Sequence, residues 1–402
     1  MTAASTLSTV AYIYKTTYAT GVGEVATRMH PNYSMMTKTG GFTGKNFSYP
    51  IRFGNPQSVA GTFAGAQTGS SGGASSSQGF LFAALRFKKY GDITLDGESL
   101  QACDSKGSFL DLVTLETDAV ITEHVDRLAF DLYRDGSAQR GQVSSIATNT
   151  ITLADPDTAR NFKIQMVIQA STSANGSSPR AGTAKIVGVS IAGGQITLDN
   201  VANITSLSAN DFLFANAEAG TAVEGMEACT PLTAPSGGDS FRGGNNRSVF
   251  SELLAGSRVN DLTTTIEENL GLGAIYVNAN GGRTDTAMLN PIKFWQVARR
   301  MNAKVEYEGA GGEATFGFES IRIATPAGTL KVYSDPDCPT NRGRGFLAAS
   351  HYYRTLLEPV HIIMDDGRPN LRSTSDDSIE ARTRSMGNYI QPDTRNHFVI
   401  AT

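Results

Sequence analysis

Lys45-Asn-Phe-Ser-Tyr-Pro-Ile-Arg-Phe53 and Gly79-Phe-Leu-Phe-Ala-Ala-Leu-Arg-Phe-Lys-Lys-Tyr90 decide the reading of this 402-residue chain. In the first run Phe47, Tyr49, Ile51 and Phe53 fall at every second position, the period of a strand with one apolar face. Pro50 removes a ladder donor and restricts that strand to an edge or a two-stranded ribbon. Between the runs, residues 68–78 are Thr, Gly, Ser, Ala and Gln only, the composition of a flexible tip. The second run returns from that tip. Together they predict one long hairpin over residues 45–90 that projects from a body. A lone two-stranded hairpin is marginal in water, so something outside it must hold it down.

The charge pattern singles out the same region. No acidic residue occurs between Glu24 and Asp92, whereas Arg28, Lys38, Lys45, Arg52, Arg86, Lys88 and Lys89 all do. Residues 1–91 hold eight Lys/Arg against one Glu, a charge of +7. The remainder holds 26 basic and 37 acidic residues, a charge of −11, which gives the net −4 of the chain. A basic arm on an acidic body suits contact with a further copy of the same chain. Nucleic acid is a weaker partner for the arm, because phosphate neutralisation needs clustered cations and these are spread thinly. A membrane is weaker still, since the arm has no amphipathic helix.

Outward from the hairpin, Ser108-Phe-Leu-Asp111 has the form of a helix start. Apolar residues then recur at Leu112, Leu115, Ala119, Val120, Val125, Leu128, Ala129 and Leu132 until Asp135-Gly136. The pattern predicts a helix of some 27 residues, about 40 Å long. From 139 to 218 short strands alternate with Gly, Asn and Asp turns, as in Thr150-Ile-Thr-Leu153 and Gln195-Ile-Thr-Leu198. Such spacing predicts a small β-barrel or sandwich. Beyond a Gly-rich loop stretch (219–248), helices are expected over 259–271 and 290–302, with strands at 303–308, 316–324 and 329–333.

The chemistry of enzymes is sought and mostly not found. Gly21-Val-Gly-Glu-Val-Ala26 has dinucleotide-fingerprint spacing, but Pro31 interrupts any following helix and no acid lies at the required distance. Gly40-Gly-Phe-Thr-Gly44-Lys45 reads as a turn. His30, His124, His351, His361 and His397 are scattered, and Glu123 with Arg127 makes a surface helix pair beside His124. Acid pairs occur late, at Asp335 and Asp337, Asp365-Asp366, and Asp376-Asp377 with Glu380. They read chiefly as turns and caps, with ions or partner arginines as the alternative. Cys103, Cys229 and Cys338 are too few and too widely spaced for a disulfide framework or a zinc site, and fit a reducing compartment. No secretory leader is expected, and no window is apolar enough to span a membrane.

In their order, these parts resemble the major capsid proteins of tailed double-stranded DNA bacteriophages, with the Hong Kong 97-type fold. Family-like phrases are Asn290-Pro-Ile-Lys-Phe-Trp295, Gly317-Phe-Glu-Ser-Ile-Arg-Ile-Ala-Thr-Pro-Ala-Gly328, Lys331-Val-Tyr-Ser-Asp-Pro-Asp-Cys-Pro339, Ser375-Asp-Asp-Ser-Ile-Glu-Ala-Arg382 and Gly387-Asn-Tyr. The resemblance implies an α+β fold with an extended N-terminal arm (1–40), an extended-loop hairpin (41–91) and a peripheral domain with its spine helix (92–138). An inserted β-barrel-like domain (139–218), an axial domain (219–345) and the C-terminal part of the peripheral domain (346–402) follow.

What the resemblance implies about function is a structural shell protein, not an enzyme, without cofactor, metal or catalytic residues. It would self-assemble into hexamers and pentamers of an icosahedral head around double-stranded DNA, bound without sequence preference. Portal, scaffolding and decoration proteins would be its further partners. It would be a virion component, assembled in the bacterial cytoplasm. The alternatives are an encapsulin-like shell around protein cargo and a metal-dependent hydrolase built on the late acid clusters. The expected inter-subunit contacts are Lys45, Phe47, Arg52, Phe53, Phe80, Phe82, Arg86, Lys88 and Lys89. On this reading, deleting 45–90, or reversing Arg86, Lys88 and Lys89 to Glu, impairs assembly and leaves the monomer folded.

Overall fold

The computed structural model describes residues 30–70, 76–96, 98, 112–300, 320–357, 360–363, 370–372 and 377–402. The N-terminal arm before His30, the Gly21–Ala26 motif, the helix start at 108–111, the strand at 303–308 and Asp365-Asp366 lie outside them. The chain is a mixed α+β protein in which one long strand, Ser378–Ile390, organises the first of four sheet systems among the described residues, the two-stranded hairpin being the smallest.

That strand pairs antiparallel with Tyr352–Thr355, His361–Ile363, Asn370–Arg372 and Phe87–Asp96, and Thr37–Thr39 joins parallel to Tyr352–Thr355. The pairing with Phe87–Asp96 runs unbroken from Phe87 opposite Gly387 to Asp96 opposite Ser378. The expected return strand Gly79–Tyr90 is therefore two strands. Gln78–Leu85 pairs with Asn46–Gly54 as the hairpin, and after Arg86 the chain leaves the hairpin for the main sheet. The change of partner has a physical basis: Asn388 donates its Nδ2 hydrogen to the Leu85 carbonyl at 2.8 Å, and the Arg86 N–H turns to the Lys45 carbonyl.

The helix Leu112–Asp131 lies on this sheet. It stops four residues earlier than its sequence suggests, because a tighter turn follows in which Tyr133 N–H reaches Phe130 and Arg134 N–H reaches Asp131. Gly136, at φ 95°, then turns the chain toward the barrel. Its packing is close: a Cβ on Gly91 would sit 2.7 Å from His124 Nε2 and 2.5 Å from Thr383 Oγ1.

Residues 141–215 form a closed six-stranded barrel. Its strands alternate as their sequences do, with Ile151, Leu153, Ile186, Ile196 and Leu198 inside. The third system is a mixed six-stranded sheet in the order Ser257–Val259, Phe398–Ala401, Arg342–Phe346, Thr286–Leu289, Gly328–Ser334, Ser320–Thr325. Helices Ile266–Ala279 and Pro291–Arg300 cover it, and Leu270, Val277, Val297, Val332 and Ile400 share the core between them. The first of these helices begins seven residues later than expected. Ser257–Val259 is a strand, Asp261 caps the following turn, and the capping box of Thr265 with Glu268 sets the true start. No helix among the described residues is long and apolar enough to cross a membrane.

Candidate interaction surface

The hairpin's alternation gives it one apolar face, and the structure divides that face along its length. Tyr49 lies opposite Phe82, Ile51 opposite Phe80 and Phe47 opposite Ala84. The rings form a continuous cluster of tilted and edge-to-face contacts, with Phe53 and Phe80 at 4.9 Å, Tyr49 and Phe82 at 5.7 Å, and Phe82 and Phe241 at 5.5 Å. Tyr49, Phe82 and Ala84 are buried in the same core as Leu128, Leu132, Met226, Phe241 and Tyr389. Phe47, Ile51, Phe53 and Phe80 are half-buried against it. Beyond Gly54 the hairpin has no such backing among the described residues. Val59 and Phe63 are 90% and 84% exposed, and Leu81 and Leu85 on the outer face are exposed as well.

The loop around Arg242 holds the hairpin base, and sequence reading missed it because Arg242 sits in what reads only as a Gly-rich turn. Its buried guanidinium donates to Tyr49 Oη at 2.8 Å, to the Tyr389 carbonyl at 2.7 Å and to Glu224 Oε2 at 2.8 Å. Its carbonyl accepts from Ala83 N–H, and Asn245 Nδ2 donates to the Leu81 carbonyl. Arg242 takes φ 38° and Gly243 φ 101° to present both groups. The only sequence signal was the Gly243-Gly244 pair, which permits such a turn without saying what it grips.

The basic residues separate in the same way. Lys45, Arg52 and Lys88 are exposed. Arg86 is half-buried and donates to the Phe42 carbonyl. Lys89 turns inward: its Nζ pairs with the fully buried Asp131 and lies 3.3 Å from Glu218. Glu218 also receives Arg127 at 2.9 Å and Arg140 at 3.3 Å. Burial opposes its charge, but Lys89, Arg140 and Arg127 outweigh burial and hold the carboxyl at about 2. At Asp131 burial prevails over the attraction of Lys89 and raises the pKa. Lys89 and Phe82 are thus committed within their own chain. The sequence-based expectation that reversing Arg86, Lys88 and Lys89 together leaves the monomer folded is corrected, since the Lys89 change sets a third carboxylate against Asp131 and Glu218. Deleting 45–90 likewise removes Tyr49, Phe82 and Ala84 from the core.

Histidines that are scattered in sequence take up separate structural posts in the fold. His30 Nε2 lies 2.6 Å from Asp126 and Nδ1 lies 2.5 Å from Asp337. With a carboxylate at each ring nitrogen, both must donate, and the ring is an imidazolium. Burial works against that charge, yet the bonds to Asp126 and Asp337 raise its pKa to about 9. Asp335 accepts from Asn32 N–H at 3.0 Å and Tyr133 Oη at 2.9 Å, and burial with the neighbouring Asp337 raises it to about 6. His351 bridges Asn32 Oδ1 and Tyr389 Oη, both at 2.9 Å, and burial lowers it to about 3. Residues 30–32 therefore fasten the incoming chain to the long helix, to the Asp335–Cys338 turn and to the main sheet. The alternative of an ion site at Asp335 and Asp337 finds those carboxylates already engaged, and no metal-binding group of His, Cys, Asp and Glu occurs among the described residues. His124 is not at a surface pair either; its Nε2 meets Thr383 Oγ1 at 2.9 Å in the interior, while Glu123 and Arg127 do pair at 2.7 Å.

The helices that cover the third sheet also carry exposed apolar residues, Ile292 and Trp295 on one and Tyr276 on the other, with Leu262 exposed in the loop before them.

No protein-family model and no curated protein matches the sequence. Solved structures do resemble the chain over nearly its full length. The capsid of a native GTA particle shares 8% identity over 97% of this chain and 95% of its own, with a TM-score of 0.50. A chain from Mycobacterium phage Ogopogo shares 8% over 99% of both chains at 0.47. A holo-SrpI encapsulin complex from Synechococcus elongatus PCC 7942 shares 6% over 99% and 95% at 0.49. The first of these likenesses shows that the fold is that of a capsid subunit.

Proposed function

We propose that the chain is the major capsid protein of a tailed double-stranded DNA bacteriophage, self-assembling into hexamers and pentamers of an icosahedral head. The observation that supports this reading is the likeness of 97% of this chain to 95% of the capsid chain of a native GTA particle. In this reading the hairpin is the extended loop, Leu112–Asp131 the spine helix, the barrel an inserted domain and the helix-covered sheet the axial domain. The work is binding rather than catalysis.

The contacts follow from what the subunit leaves open. The hairpin, with Val59 and Phe63 toward its tip, Leu81 on its outer face and half-buried Phe53 and Phe80, lies over a neighbouring subunit. Exposed Lys45, Arg52 and Lys88 meet carboxylates of that neighbour's acidic body. Single exposed ion pairs contribute about 0–1 kcal/mol, so the apolar side chains supply most of each contact. The face around Trp295 meets its counterparts about the capsomer axis. Portal, scaffolding and decoration proteins and the packaged DNA are the remaining partners, and assembly takes place in the bacterial cytoplasm.

The test replaces residues 55–77 by a short turn, keeping the anchored base of the hairpin. Wild-type subunits should give closed shells in negative-stain electron microscopy, and the deletion should give folded, soluble subunits without shells. Normal shells from the deletion would sink the proposal. Particles that fill with protein cargo and exclude DNA would assign the chain to the encapsulin-like alternative.

A further inference from the structure

The barrel and the body have separate interiors. Val143, Ile151, Ile168, Ile186 and Leu213 pack among themselves, and none of the barrel's described core residues joins the core of the body. The buried apolar contact among the described residues lies at the links that enter and leave the barrel, where Phe214 clusters with Ala138 and Ala222. Those links also hold strained backbone. Ala138 and Ala217 take φ 64° and φ 58°, a region costly to a residue with a side chain, and Gly136 and Gly220 take positive φ beside them. The links run side by side, with Gly220 N–H donating to the Ser137 carbonyl at 2.9 Å. Two adjacent links that meet at one place can serve as a hinge.

Away from the links, ions hold the barrel to the helix Leu112–Asp131. Lys163 of the barrel reaches Glu123 at 2.7 Å and also pairs with Asp126. Glu218, at the barrel exit, meets Arg127 at 2.9 Å and Lys89 at 3.3 Å, and Arg140 stacks on Phe130 at 4.6 Å. Lys163, Arg127 and Glu123 remain 29%, 30% and 33% exposed, so water and salt reach these pairs and weaken them. Each seam carboxylate also has a cation on its own side. Asp126 holds His30, Glu123 holds Arg127 and Asp131 holds Lys89 within the body, while Glu218 holds Arg140 at the barrel. Parting the seam therefore leaves no buried charge alone, the outcome that would make it costly. Beside the links a cleft of about 390 Å³ separates the barrel turn Pro156–Asn161 from the body turn at 336–342. Polar groups line both banks, with Asp157 on one and Asp337 on the other.

We propose that the barrel is a hinged unit, latched to the helix by the ion pairs of Lys163 and Glu218 and swinging about the 136–138 and 217–220 links when they open. Both cores stay intact in the open form, and Lys163 returns to water. The hinge lies within one subunit and does not depend on the shell reading.

The test puts spin labels on dilute full-length subunits, at Lys185→Cys on the barrel and Leu262→Cys on the body, both exposed positions, in a chain carrying Cys103→Ser. Cys229 and Cys338 are buried and should stay unlabelled. Pulsed electron resonance should give one narrow distance at low salt. At roughly 1 M salt, where the screening length falls to about 3 Å, a second and broader population should appear. Lys163→Met should enlarge that population about fivefold at low salt. Arg395→Met, which breaks an exposed ion pair on the body, should match the unsubstituted chain. Amide hydrogen exchange of Thr150–Leu153 and Gln195–Leu198 should stay slow throughout, which separates swinging from unfolding. A single narrow distance at every salt, a Lys163→Met chain that matches wild type, or a second population that appears only with loss of that protection would each overturn the proposal.

Discussion

Near its base the hairpin buries Phe82 and Ala84 and ties Tyr49 to Arg242, whereas toward its tip Val59 and Phe63 stand open to solvent. Both ends carry large apolar side chains, Phe82 and Tyr49 near the base and Val59 and Phe63 toward the tip. What separates them is what lies across the gap: the Arg242–Asn245 loop and Leu128 on one side, and no comparable backing from the described residues on the other. The pattern recurs at Lys88 and Lys89, adjacent residues of which one is exposed and one is held by Asp131. Apolar or basic character therefore does not tell an internal anchor from a docking contact. The partner does, and the partner comes from the fold.

The sharpest way to break this division is to substitute equivalent residues on its two sides. Phe82→Ala should cost about 3–5 kcal/mol of subunit stability, because it opens a cavity among Tyr49, Phe241 and Leu128. Phe63→Ala should stay within about 0.5 kcal/mol in the same urea titration and still reduce the yield of shells. Comparable losses of stability from both would show that the tip also folds back on its own subunit. Lys89→Glu should cost about 3–5 kcal/mol, as an uncompensated buried charge does. Lys88→Glu should leave the urea midpoint nearly unchanged and act on assembly alone; a destabilising Lys88→Glu would erase the contrast.

His30 extends the comparison to the incoming N-terminal segment. Its pKa is higher folded, about 9, than its ordinary 6.5. The stabilisation is therefore full below pH 6.5 and is lost as pH rises through 9, a contribution of about 3 kcal/mol. Asp335, raised to about 6, has the same sign at lower pH and removes stability as pH rises from about 4 to 6. Glu218, held at about 2, acts oppositely and supports the fold until pH falls toward that value. The urea midpoint of wild type should fall between pH 6.5 and 9.5, and His30→Ala should flatten that limb. A slope that persists in His30→Ala would place the titration elsewhere.

Sequence reading reached the elements whose signals are local and periodic. The alternation of Phe47, Tyr49, Ile51 and Phe53 and the recurrence of Leu128, Ala129 and Leu132 are such signals. It could not see where Gly79–Tyr90 divides, because Phe87 pairs with Gly387, three hundred positions away in sequence. For the same reason it placed Lys89 among outward-facing cations, while Asp131 and Glu218 reach it only through the helix and the barrel. His30 lay in a stretch without acids, and its two carboxylates come from Asp126 and Asp337. Charge patterns in sequence describe what a segment carries. They do not describe what it meets.

The smallest expected effect concerns the second open face. Trp295 is the sole tryptophan of the chain and is 56% exposed on the helix Pro291–Arg300, so its emission reports one place. In free subunits it should emit as an indole in contact with water. If neighbouring subunits cover this face about the capsomer axis, assembly should shift the emission several nanometres to the blue. Trp295→Ala should change folding stability by less than about 0.5 kcal/mol, because little of the ring is buried in the subunit. The variant without residues 55–77 should show no blue shift if the hairpin must close first, and a full shift if capsomers form without it. That second result would rank the two open surfaces, with the Trp295 face joining subunits into capsomers and the hairpin tip locking capsomers into a shell. Unchanged emission in complete wild-type shells would leave Trp295 on an open surface of the particle and move the axial contact to other residues.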